Sequence, residues 1–175
     1  MSLFLHELIH LLLSLLTAFA IVYIFKIKKM GGKFAIFLFS IFGGFFIDVD
    51  HLFDYFFAFG PRFRLDYFLK GLQFFKTSKL FVPLHSFEIV IIGIIFSIVI
   101  YFFRKQLAIN NYLLTIIFVF SLSLLFHLFF DICSNELPLK SYFFTYRLER
   151  NFDLKSLITA DRYKNYLRIK KQIKF

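Results

Sequence analysis

The side chains able to do chemistry are few, and they recur in pairs. The chain has five histidines: His6, His10, His51, His85 and His127. Six carboxylates accompany them: Glu7, Asp48, Asp50, Asp54, Glu88 and Asp131. His6 and His10 are four apart, as are Asp50 and Asp54, and His127 and Asp131. His51 precedes Asp54 by three, and His85 precedes Glu88 by three. Residues three or four apart share a helix face, so each pair aims two ligand-type groups one way. Imidazole plus carboxylate with no thiolate suits zinc, manganese or iron. A single catalytic zinc needs about three protein ligands, and this set is larger. Zinc is the leading choice, with two or more ions expected. The candidate ligands are His6, His10, Asp48, Asp50, His51, His85, His127 and Asp131. The candidate general bases are Glu88, Asp54 and Glu7. Taken singly, an interfacial histidine is as readily a polar anchor. Glu7 lies roughly 100° round the helix from His6 and equally suits headgroups, while Asp48 equally suits capping its segment. The constellation carries the inference, not any one pair.

These residues sit in a chain built for lipid. Hydrophobic residues make up 59% of its 175 positions, 31 of them Phe, more apolar surface than a soluble domain of this size could hide. Four apolar segments stand out, at about 3–25, 34–47, 86–103 and 112–130, several of them near the roughly 20 residues a crossing needs. The first contains Ala18-Phe19-Ala20, a cleavage-like triplet. It is nevertheless expected to be retained, because no basic residue precedes it, His6, Glu7 and His10 interrupt it, and the apolar run continues past Ala20. Lys26, Lys28, Lys29 and Lys33 make a short basic turn after it. Gly43 and Gly44 would let another helix approach closely. The second segment continues as an amphipathic stretch through Phe59. Gly60-Pro61 then opens an interfacial loop with a short surface helix, to about residue 84. Arg104 and Lys105 close the third segment. Cys133, the only cysteine, cannot form an internal disulfide and reads as a small buried apolar side chain.

The expected fold is an all-α integral membrane protein: a four-helix transmembrane bundle over 1–134, with a basic amphipathic tail over 135–175 lying on the membrane. Four crossings would put the start of segment one, the end of two, the start of three and the end of four at one face. All five histidines and the six carboxylates fall there. A carboxylate at bilayer depth costs about 2.5–3.5 kcal/mol, so six uncompensated ones would cost on the order of 10 kcal/mol or more. No Lys or Arg is interleaved to offset this, and a metal would. His10, Asp50, His51, His85, His127 and Asp131 are expected to converge, with His6, Asp48, Asp54 and Glu88 in or just behind them. The shared face carries 15 Lys or Arg against 6 on the other, so the positive-inside rule puts it in the cytoplasm. The net charge of +10 lies outside the apolar segments. It is read as contact with membrane lipids, anionic headgroups meeting the loop and tail, and not with nucleic acid.

The stretch Gly43-Gly44-Phe45-Phe46-Ile47-Asp48-Val49-Asp50-His51-Leu52-Phe53-Asp54 resembles the D-x-D-H signature of small membrane-bound metal-dependent hydrolases, the YdjM-like group. That group has an early histidine in its first segment, a His-Ser pair opening a later one, and a final H-x-x-x-D. His6 or His10, Asp48-x-Asp50-His51, His85-Ser86 and His127-x-x-x-Asp131 occupy those places in order, over residues 6–131. Ile47 stands where the group often has proline. The resemblance implies a distant similarity to zinc-dependent phospholipases C and related nucleases. It implies hydrolysis of a phosphate ester, on a lipid or lipid-linked substrate, in a prokaryotic cytoplasmic membrane. Two other classes compete. His6-Glu7-Leu8-Ile9-His10 is literally H-E-x-x-H, the zinc-binding pair and base of a metalloprotease, but that reading leaves His85, Glu88, His127 and Asp131 unused. A non-enzymatic metal-binding protein or transporter would place its ligands near mid-membrane, not toward one face.

Overall fold

The computed structural model describes residues 3–104, 111–135 and 137–173; Lys105, expected to close the third segment, lies outside them. The protein is helical. The described residues form α1 (Leu3–Ile24), α2 (Met30–Gly44), α3 (His51–Phe59), α4 (Leu65–Leu69), α5 (Leu72–Thr77), α6 (Phe87–Phe103), α7 (Asn111–Asn135), α8 (Phe144–Glu149), α9 (Leu154–Leu157) and α10 (Ala160–Lys170). Two short 3-10 helices, Phe46–Asp50 and Leu139–Tyr142, complete the set. Two helices are long and apolar enough to cross a membrane, over Leu5–Ile24 and Asn111–Asn135. A third candidate is α2 continued, after a break at Phe45, by Phe46–Phe59. α6 is apolar but has 17 residues, a length of roughly 25 Å.

The chain divides into two compact units. The first is Met1–Ile47 with Phe87–Ser134; the second is Asp48–Ser86 with Asn135–Phe175. In the first unit the usual polarity of a fold is reversed. α1 exposes Leu5, Leu8, Leu12, Leu16, Phe19 and Tyr23 and buries His10, Ser14, Thr17 and Ala18. α7 buries Thr115, Ser121, Ser123, His127 and Asp131. Polar residues inside and leucines outside are what a lipid surround requires. The buried hydroxyls are hydrogen-bonded: Ser14 Oγ donates to His10 O at 2.7 Å, Ser40 Oγ to Ser14 O at 2.6 Å, and the Ser40 and Ser123 hydroxyls stand 2.6 Å apart. α1, α2 and α7 are thereby joined. Gly43 and Gly44 make this approach possible, since a Cβ at the first would strike the Phe120 carbonyl and one at the second the Ser14 hydroxyl. Below the polar chain, Ala18, Ile21, Ile36 and Val119 form an apolar core.

The second unit shows what the tail does. It is not one surface helix. It breaks into the 3-10 helix, α8, α9 and α10, and its Leu154, Leu157 and Tyr166 bury themselves with Leu80 and Val82 of the loop. Backbone pairing ties the two stretches: Leu80 N–H donates to Phe152 O at 3.0 Å and Leu154 N–H to Ser78 O at 2.9 Å, around a bridge between Lys79 and Asp153. Short amphipathic pieces find in each other the apolar partner that the sequence reading assigned to the membrane surface. The loop itself carries two short helices, α4 and α5. Cys133, expected to be buried, is exposed on α7.

Candidate metal centre

In the first unit, His6 and His10 project from the second and third turns of α1, and His127 and Asp131 from successive turns of α7. The Nε2 atoms of His6 and His10 stand 2.9 Å apart. Asp131 Oδ1 lies 3.2 Å from each, and Asp131 Oδ2 lies 3.4 Å from His127 Nε2. The His10 and His127 rings stack with centroids 3.8 Å apart. Four donors on two helices converge, all but His6 fully buried. His127 Nδ1 donates to the Gly44 carbonyl at 2.7 Å. That bond fixes the tautomer and leaves Nε2 with its lone pair toward the cluster. The glycine that lets α2 approach thus also supplies the carbonyl that orients the histidine.

In the second unit, Asp48, His51 and His85 form the corresponding group. Asp48 Oδ1 is 3.0 Å from His85 Nε2 and 3.5 Å from His51 Nε2. Asp50 stands behind His85: its Oδ1 is 2.9 Å from His85 Nδ1, while its Oδ2 accepts the Leu84 N–H at 2.8 Å. A carboxylate on the far nitrogen of a ligand histidine fixes the ring and raises its basicity. Burial pushes the His85 imidazolium toward deprotonation. The Asp50 charge, with the hydrogen bonds to Asp48 and Asp50, outweighs that and holds the pKa well above the usual histidine value.

The geometry fits a metal. Donors around a tetrahedral zinc at 2.0–2.1 Å are about 3.3 Å apart, and the spacings in both groups cluster near that length. His6, His10 and Asp131 form one triad, and Asp48, His51 and His85 another, within which the donor atoms lie within 4.8 Å of one another.

Asp54, expected as a base or ligand, has a structural task. Its two oxygens accept the N–H groups of Phe81 and Val82 at 2.8 and 3.0 Å. His85 precedes α6, so it and Glu88 do not share a helix face as their spacing suggested; Pro83 and the hydrogen bonds drawn to 81–85 keep this stretch out of the helix. Glu7 and Glu88 are half-buried and belong to none of the groups found among the described residues. Arg147, expected from the sequence to reach headgroups beside Lys140, is instead 1% exposed, and its Nη2 donates to the carbonyls of Val82 and His85 at 3.1 Å each. Only its position in a polar-looking tail was available, and nothing in that context marks one arginine among ten basic residues as buried. Comparison of the chain with protein-family models, with curated proteins and with solved structures finds no match.

Proposed function

We propose that this protein is a four-crossing membrane-bound hydrolase of the YdjM-like kind, metal-dependent, cleaving a phosphate ester on a lipid or lipid-linked substrate. The observation that carries the reading is the gathering of half-buried to buried His and Asp triads at zinc-like spacing in a chain whose long helices expose leucine and phenylalanine. α6, with Ile92, Ile95, Phe96, Val99 and Phe102 exposed, is the fourth crossing, short enough to need modest bilayer thinning. Zinc is the expected ion, with more than one bound.

His6, His10, His127 and Asp131 hold metal in the first unit, and Asp48, His51 and His85 in the second, with Asp50 orienting His85. Bound metal would supply Lewis acidity, polarising the phosphate ester and favouring ionisation of water near neutral pH. The chain's own part is to limit bulk water around the triads, hold the imidazoles in one tautomer, and provide a carboxylate to take the proton. With Asp54 committed to backbone, Glu88 remains for that task. Anionic headgroups are held by basic residues of the loop and tail, among them exposed Arg62, Arg64, Lys70 and Lys76. The excess of Lys and Arg in the loop and tail supports a cytoplasmic setting for them.

The H-E-x-x-H reading shares His6 and His10, but Asp131 and not Glu7 stands beside that pair. Purified protein in detergent, loaded with zinc, should release the headgroup phosphate of a labelled phospholipid. Chelation should stop this and added zinc restore it. His127→Ala or Asp50→Ala should lower bound metal and abolish turnover while the protein still inserts. Glu7→Gln should leave phosphoester turnover standing and would abolish a protease. Retention of full metal content and activity by the double variant Asp50→Ala with His127→Ala would end the hydrolase reading.

A further inference from the structure

Arg147 is the bulkiest of the fully buried side chains in the described residues, 1% exposed. A guanidinium is costly to remove from water and is kept inside only where its hydrogen bonds do something specific. Its Nη2 spans two carbonyls, Val82 O and His85 O. Between them run Pro83 and Leu84. The same stretch is held from its other side by carboxylates, Asp54 on the N–H groups of Phe81 and Val82, and Asp50 on that of Leu84. His85 N–H closes the turn onto Val82 O at 3.1 Å. Val82 itself has φ +30°, a conformation a β-branched residue avoids. Such a backbone persists only where its surroundings over-determine it. Three buried charged side chains, two from the segment 50–54 and one from the tail, are therefore spent on five residues that end at His85.

We infer that Arg147 is a positioning residue for His85, so that the C-terminal tail completes the ligand group of the second unit. This rests on the reading that Asp48, His51 and His85 hold metal. Arg147 acts through the backbone: its Nη2 donates to the carbonyls at the two ends of the turn that closes at the histidine, and its own charge would repel a cation. With the donors removed, the 82–85 turn can relax the strain at Val82, and the imidazole leaves the line between Asp50 and Asp48. Lysine keeps the charge but presents it from a single rotatable point, which cannot reproduce a planar fork bridging two carbonyls.

The test uses the full chain in detergent, labelled with nitrogen-15 at histidine. Five histidines give few enough ring signals to follow one by one, that of His85 being identified by its loss in His85→Ala. Arg147→Met is expected to shift the His85 ring signals in metal-free protein. It is expected to lower zinc affinity on the order of 10- to 100-fold, the usual effect of losing an outer support of a metal ligand. Arg147→Lys should show the same displacement in smaller degree. In a His85→Ala background, Arg147→Met should cost nothing further, because the residue through which it acts is gone. Unchanged His85 signals in both arginine variants would overturn the inference, as would an equal zinc loss with and without His85. If Arg147→Met does not fold, Arg147→Lys decides by the same signals. If His85→Ala leaves zinc affinity intact, the metal reading of this group fails, while the His85 ring signals still decide on the positioning.

Discussion

At the scale of residues, two histidines of similar burial are governed by different neighbours. His127 leans on a neutral carbonyl, Gly44 O, at one ring nitrogen and on Asp131 at the other, whereas His85 has a carboxylate at each, Asp50 and Asp48. The consequence is a pH dependence with a definite sign. In metal-free protein the His85 pKa is raised. The stability contributed by its protonated pairing is fully present below the unfolded value of about 6.5 and is lost as pH rises through the raised folded value. Metal uptake runs the other way, since a ligand nitrogen must shed its proton first. Zinc affinity should therefore climb with pH until the raised His85 pKa is passed, and part of that slope should vanish in His85→Ala; zinc competition titrations at several pH values read it directly. An affinity independent of pH in the wild type would show that His85 gives up no proton on binding. The pairing of His127 with Asp131 was legible in the sequence because both ride one regular helix. The division of labour among Asp48, Asp50 and Asp54 was not. Their backbone leaves the α-helix for a 3-10 helix, so helical spacing misassigns faces, and their partners lie some thirty residues downstream in the 81–85 turn.

At the scale of elements, the apolar runs foretell helices well, because apolar length and lipid-facing composition are local properties. The runs read at about 3–25 and 86–103 are α1 and α6 to within a residue or so, and the others err mainly by being drawn too short or displaced by a few residues. Gly43 and Gly44 were also legible, and their structural consequence is sharper than close approach alone. Gly43→Ala would drive a methyl into the Phe120 carbonyl, a backbone atom that cannot swing aside. α2 must then shift away from α7, and the His127–Gly44 bond must lengthen. Overpacking of this kind costs about 1–3 kcal/mol. A lower melting temperature in detergent together with weaker zinc binding is the expected pair of results. Gly31→Ala is the control, since a Cβ there meets nothing within 4 Å and should if anything favour the helix. Equal effects of the two alanines would mean that contact with α7 is not what Gly43 provides.

At the scale of the whole molecule, the second unit is assembled from two stretches far apart in sequence, 48–86 and 135–175. One apolar cluster draws on both. Leu80 and Val82 are covered by Leu154, Leu157 and Tyr166, and the Tyr166 hydroxyl reaches the carbonyl of Phe74 at 3.1 Å. Such pairing is invisible to local pattern, which is why the tail read as a lone amphipathic segment: its short helices are marginal until they meet their partner. A chain ending at Asn135 makes the dependence measurable. The first unit keeps α1, α2, α6 and α7, with their buried hydroxyl chain and the His6, His10, His127 and Asp131 donors, so the shortened protein should still enter membranes and bind zinc. The loop 60–84 should become sensitive to protease, because Leu80 and Val82 lose their cover. Without Arg147 the 82–85 turn loses the guanidinium that spans it, and bound zinc should fall without vanishing. Limited proteolysis and metal analysis of full-length and shortened protein, side by side, measure both effects. Full zinc content and a protected loop in the shortened chain would show that the tail is an appendage after all, and that residues 48–86 hold their ligands without it.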